Sequence, residues 1–143
     1  MIEFPEPGFQ IKQDKDKELI FDMVRKQWLV LTNEEWVRQN FIQYLVQIMK
    51  YPSELIAVEK EIRLGELKKR YDLLVFNKEY KPWMLIECKA QNIDLDENVI
   101  RQLLTYHITM PSSYLVITNG NYTFGWERSE GELKDIDQLP SWL

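Results

Sequence analysis

Three charged side chains stand where hydrophobic residues predominate: Asp72 in Arg70-Tyr-Asp-Leu-Leu-Val-Phe76, and Glu87 and Lys89 in Trp83-Met-Leu-Ile-Glu-Cys-Lys-Ala90. Both stretches have the composition of buried β-strands. An ionised carboxylate inside such a strand costs several kcal/mol to desolvate unless a metal, a partner charge or hydrogen bonds compensate it. Side chains alternate along a strand, so Glu87 and Lys89 point to one face, and a short antiparallel turn can bring Asp72 alongside them. Two carboxylates offer hard oxygen ligands to Mg2+, with Mn2+ as a substitute, and the backbone carbonyl of Cys88 is a candidate third ligand. An ion held there lowers the pKa of a water and shields a phosphate. Lys89 would then orient or deprotonate that water, or stabilise the oxyanion by its charge. The competing reading is a sheet edge on which an acid and a lysine simply neutralise each other.

The elements that must position these residues are legible around them. Before them, Thr32 with Glu35 has capping-box spacing, and Val37, Phe41, Tyr44, Leu45 and Ile48 form one apolar stripe, predicting a helix from about Asn33 to Lys50 that Pro52 stops. Leu55–Leu64, Tyr71–Phe76 and Trp83–Ala90 read as a three-strand meander with turns at Gly65–Lys69 and Asn77–Pro82, the last strand central. Asp94 and Glu97 repeat the cap spacing, predicting a crossover helix over about Leu95–Thr109 that Pro111 closes. Ser113–Thr118 and Tyr122–Trp126 flank Asn119-Gly120, a hairpin signal, and by the right-handed crossover rule the first of these strands can lie parallel to its predecessor. At the N-terminus Phe9–Lys12, Glu18–Asp22 and Val24–Leu31 predict a small antiparallel addition. The expected fold class is α/β: a mixed central sheet flanked by helices, in one domain over residues 1–143, with residues 1–31 as an N-terminal β addition.

Composition bounds the function. With 45% hydrophobic and 29% charged residues this is an ordinary globular chain, and no apolar run reaches the roughly 20 residues that span a bilayer. Neither a signal peptide nor a membrane segment is predicted, and a cytoplasmic location is expected. The single Cys88 cannot form an internal disulfide and is expected to pack. The net charge of -5 opposes tight unaided binding to a polyanion, but the charge is uneven: residues 59–89 carry 8 basic and 6 acidic side chains, residues 90–143 only 3 and 8. His107, the one histidine, is expected to be packed or solvent-facing rather than a general base.

An acid, a gap and an acid-x-Lys recur by chance in many chains, so the strand context carries the weight. With that context, the chain resembles the PD-(D/E)xK nuclease superfamily, whose core is a helix, a three-strand meander, a crossover helix and a further strand. Glu34-Glu-Trp-Val-Arg38, Arg70-Tyr-Asp72, Ile86-Glu-Cys-Lys89 and Arg101-Gln-Leu-Leu-Thr-Tyr106 resemble the N-terminal nuclease domain of type I restriction enzyme R subunits and its small stand-alone relatives. Tyr71 stands where the family name has Pro. The resemblance spans roughly Thr32 to Trp126. It implies restriction-endonuclease-like topology, Mg2+-dependent cleavage of DNA, and roles for Gln102 and Tyr106, which share one helix face at i and i+4. By analogy it adds Glu35 to the metal shell, although a plain capping role suffices for that residue. No G-x-x-x-x-G-K-[ST] loop is present, so no ATP-driven motor is expected, and specificity would come from a protein partner or from DNA structure. A homodimer is expected if both strands are cut, with the aromatic-rich hairpins as interface. The alternative function is a catalytically silent or partner-dependent DNA- or protein-binding module on the same fold.

Overall fold

The computed structural model describes residues 2–142. The N-terminal addition is an antiparallel sheet of β1 (Ile11–Asp14), β2 (Lys17–Asp22) and β3 (Gln27–Val30). Next, α1 (Asn33–Gln43) begins where predicted, with the Thr32 hydroxyl accepting the Glu35 N–H at 3.0 Å. Only half of the capping box forms, because the Glu35 carboxylate is engaged by arginines instead. Regular α geometry ends at Gln43 rather than Lys50: a wider π turn over Tyr44–Ile48 follows, Lys50 turns left-handed (φ 60), and the Tyr51 N–H reaches back to the Leu45 carbonyl at 2.9 Å.

The second sheet has the order β4 (Ile56–Leu64), β5 (Leu67–Phe76), β6 (Pro82–Cys88), β7 (Tyr114–Thr118), β8 (Thr123–Ser129), β9 (Glu132–Ile136). The pairing is antiparallel except for β6 and β7, which run parallel across the crossover helix α2 (Glu97–His107). This is the expected restriction-endonuclease-like order of meander, crossover and further strand, with β6 central.

Several boundaries differ from expectation, and one strand is new. Gly65 at φ +64 tightens the β4–β5 turn, so β5 starts at Leu67, not Tyr71. Strand β6 ends at Cys88, although the Lys89 N–H still reaches the Thr118 carbonyl at 2.8 Å. The cap of α2 is Asp96, whose carboxylate accepts the Val99 N–H at 2.9 Å, because Ala90–Ile93 is taken up by a turn of its own. Strand β9 is additional. It is short and polar, and its turn uses Glu130 (φ 51) with Gly131 (φ 79), a geometry for which Asn or Asp would be the legible signal. The acidic tail also docks as anticipated: Leu139 is buried and the Trp142 indole N–H donates to the Phe76 carbonyl at 3.2 Å.

The six-stranded sheet is covered on both faces. Val37 and Phe41 of α1 and Leu45 of the π turn after it pack on Ile56, Leu73, Val75, Met84, Ile86 and Val116. On the other face Leu104 of α2 and Met110 pack with Tyr71, Leu74, Leu85 and Leu115. In a regular strand Tyr71 and Leu73 would share a face, yet they lie in opposite layers. On β4 the same exchange separates Val58 from Ile62. Both strands switch at one level, where the paired steps Val58 with Leu73 and Lys60 with Tyr71 bracket Glu59 and Asp72, and Glu59 has φ 51. Asp72 therefore occupies a deliberate irregularity in the sheet rather than an ordinary strand position.

Candidate functional site

Leu73 pairs with Ile86, and the next residues outward are Asp72 and Glu87. There the β5–β6 ladder gives way to a side-chain contact: Asp72 Oδ2 accepts the Cys88 N–H at 2.7 Å. The strands fork, and the Asp72 carboxylate sits in the fork with its other oxygen 3.2 Å from Arg38 Nη2 on α1. Glu87 lies on the α2 side, with Oε1 3.7 Å from Lys89 Nζ and Oε2 3.3 Å from Nε2 of the buried His107. The three sequence-predicted residues thus converge on the same end of the sheet. They do not lie flat on one face: Glu87 and Lys89 do, as alternation requires, while the switch at Asp72 turns its carboxylate toward α1.

Burial, with the negative charge of Glu87, raises the Asp72 carboxyl to about 7; the Cys88 N–H and Arg38 offset only part of this. Arg38, 3.2 Å away, supplies positive charge to this carboxylate, but not enough to offset burial and Glu87. Glu35 is buried and already well supplied. It takes Arg38 Nη1 at 2.5 Å, Gln39 Nε2 at 2.9 Å and Arg25 Nη2 at 3.2 Å. For Arg38, burial lowers the pKa, but Glu35 and Asp72 more than reverse this and hold it charged. Cys88 is buried in the α1 layer, and burial pushes its thiol well up, which leaves it an inert packing group.

Gln102 is exposed on α2 and lines a cleft of about 390 Å³ with Lys89, Glu34, Ile93 and Val99. Tyr106, one turn on, is not among the cleft residues. Its hydroxyl accepts the Arg70 N–H at 3.4 Å, and Lys69 Nζ lies 3.7 Å from its ring centroid. Helix spacing made Gln102 and Tyr106 neighbours, but the tertiary structure points only Gln102 at the cleft beside Lys89.

The sequence reading missed the charged surroundings. Arg38 also meets Glu34 at 3.0 Å and Glu59 at 3.5 Å, and Arg25 meets Asp22 at 2.5 Å and Glu59 at 3.4 Å. The i,i+4 pair Glu34 and Arg38 was readable on the helix. Arg25 was not, since nothing local shows that a turn of the N-terminal sheet reaches α1. His107 beside Glu87 was equally invisible.

The available donors suit a hard divalent ion: two carboxylates and a peptide carbonyl, all oxygen, one carboxylate short of compensating charge. Among the described residues no cluster of three or more His, Cys, Asp or Glu side chains has metal-binding geometry, so a bound ion would draw its remaining ligands from backbone and water.

Residues 33–140 match the family model described as "Type I restriction enzyme R protein N terminus (HSDR_N)". Among solved structures, a candidate nuclease belonging to DUF820 from Anabaena variabilis ATCC 29413 aligns with a TM-score of 0.52 at 9% identity, covering 92% of this chain and 86% of that one. At that identity the likeness concerns the fold alone. No curated protein matches. Among the described residues no helix is long and apolar enough to cross a membrane.

Proposed function

Because the chain belongs to the family of type I restriction enzyme R protein N-termini, we propose that it is an Mg2+-dependent endonuclease domain that hydrolyses DNA phosphodiester bonds. The observation that carries this reading is the Asp72 carboxylate. It is held in a strand fork next to Glu87 and raised toward neutrality by burial and by that neighbour, while Glu87 carries Lys89, which borders the cleft, 3.7 Å away.

Asp72 and Glu87, with the Cys88 carbonyl, would hold the ion. When bound, it would supply Lewis-acid activation of water and charge neutralisation at phosphate. Lys89 Nζ, tethered near Glu87, either orients and deprotonates the attacking water or neutralises charge building on the phosphate. Gln102, which lines the cleft, would hydrogen-bond the substrate there. Arg38 stays charged behind Asp72 and fixes its carboxylate. Glu35 acts indirectly, by fixing Arg38.

Purified protein incubated with supercoiled and linear DNA and Mg2+ or Mn2+ should nick the substrate, and Lys89→Ala should lose the activity. Absence of nicking, or equal nicking by the variant, would refute the catalytic claim. A second reading is a silent or partner-dependent binding module. It is favoured by Arg38, an internal cation already on Asp72, and by the net charge of -5. A salt-dependent gel shift without cleavage would support it.

A further inference from the structure

An unbroken line of alternating charge runs from the N-terminal sheet into the fork. Asp22, fully buried at the end of β2, holds Arg25 Nε at 2.5 Å. Arg25 Nη2 meets Glu35 Oε2 at 3.2 Å, Glu35 Oε1 holds Arg38 Nη1 at 2.5 Å, and Arg38 Nη2 reaches Asp72 Oδ1 at 3.2 Å. Asp22 is also fastened by its own turn, accepting the Val24 and Arg25 N–H groups at 2.8 and 3.0 Å. The line therefore starts from a fixed point. It starts outside residues 33–140, the part that matches the family.

We infer that Arg38 is a built-in counter-cation which a metal ion must displace from Asp72, and that Arg25 of the N-terminal sheet sets how readily it leaves. The inference rests on the reading of Asp72 as a metal ligand. Both Asp72 oxygens are engaged by the chain itself, one by the Cys88 N–H and one by Arg38. A peptide N–H carries no net charge and tolerates a nearby ion, whereas a guanidinium repels it. Arg38 has somewhere to go, because Glu35, Glu34 and Glu59 lie 2.5 to 3.5 Å from its nitrogens and keep it neutralised after it releases Asp72. Two of those acids, Glu35 and Glu59, are shared with Arg25. The positive charge of Arg25 on them weakens their pull on Arg38 and leaves it on Asp72. Arg25 is thus a positioning residue that acts through Glu35, Glu59 and Arg38.

Mn2+ affinity of the EDTA-stripped full chain, followed by the loss of the free-Mn2+ electron paramagnetic resonance signal, tests this without reference to cleavage. Arg38→Gln should bind Mn2+ about tenfold or more tightly than wild type, Arg38→Lys should fall between, and Arg25→Gln should gain a few-fold, on the scale of one unit charge removed near a partly buried site. A merely structural role predicts the opposite sign, since a damaged site binds more weakly. Arg38→Lys keeps the charge and guards against misfolding of the glutamine variant, with circular dichroism as the check. Unchanged or weaker binding by folded Arg38 variants overturns the inference while leaving the metal reading intact. Binding detectable in Arg38→Gln and Arg25→Gln but not in wild type supports it. Binding by no variant above the level of Asp72→Asn overturns both. A gain with Arg38→Gln but none with Arg25→Gln overturns the part assigned to the N-terminal sheet.

Discussion

Asp72→Asn is expected to stabilise the metal-free protein at pH 8 while abolishing its response to Mg2+. In the folded chain the Asp72 carboxyl is raised to about 7 against an ordinary value of 3.8. Between those values the folded state holds a proton that the unfolded state has released, so the stability contributed by this group falls as pH rises from about 4 to about 7. Above that window the cost is complete. A shift of about three units at 1.36 kcal/mol each sets a ceiling of about 4 kcal/mol. Asparagine removes the charge and keeps an oxygen for the Cys88 N–H, now 2.7 Å from Asp72 Oδ2. It forfeits the attraction of Arg38 and turns an amide donor toward that guanidinium, which costs about 1–2 kcal/mol. Arg38 itself remains paired with Glu35 and Glu34.

The expected net gain at pH 8 is therefore about 1–3 kcal/mol, or a rise in Tm of roughly 3–10 °C for a chain of this size. Thermal melts of both proteins in EDTA from pH 4 to 8.5 should show the gap closing on acidification. Comparing the two proteins cancels the titrations that do not interact with Asp72, so the remaining difference belongs to Asp72 and the groups facing it. Mg2+ should raise the Tm of wild type only. If the variant is less stable at pH 8 and recovers toward wild type as the pH falls, Asp72 is an ordinary ion-pair partner of Arg38 and the argument from its burial fails.

Three further outcomes test the scaffold. Phe41→Ala, which empties a fully buried position where α1 meets the sheet, should cost about 3–5 kcal/mol by denaturant unfolding. Thr32→Ala removes the hydroxyl that accepts the Glu35 N–H and should cost about 1 kcal/mol in the same assay. In Gly125→Ala the new methyl would lie 2.9 Å from Ile136 Cγ1, so a loss of about 1–3 kcal/mol is expected, with faster hydrogen exchange along β8 and β9 than along β5 and β6.

Much of this was legible in the sequence, for identifiable reasons. The apolar positions Val37, Phe41 and Leu45, the Thr32 cap, the continuous hydrophobic strands and the Asn119-Gly120 turn are local patterns, and local patterns specify local elements. Ile48, expected on the same stripe, is exposed because the π turn over Tyr44–Ile48 breaks the helical period. The order of those elements and the handedness of crossovers left few topologies, which is why the parallel pairing of β6 with β7 could be anticipated. The misplaced boundaries lie where a few backbone angles decide the outcome, at Lys50, Gly65 and the Glu130–Gly131 turn. There, competing local geometries differ by little in free energy.

The candidate site divides in the same way. That Asp72, Glu87 and Lys89 are charges out of place in apolar strands, and that Glu87 and Lys89 share a face, is determined by sequence through the period of a strand. Only the tertiary structure decided that β4 and β5 exchange faces at Glu59 and Asp72, that Asp72 consequently meets Arg38, that Tyr106 turns to Arg70, and that Arg25 crosses from the N-terminal sheet to Glu35. The physical reason is that a buried charge takes its properties from whichever groups desolvate and surround it. Those groups come from segments far apart in the chain, so periodicity can place a carboxylate, while only packing determines its charge state and its partners.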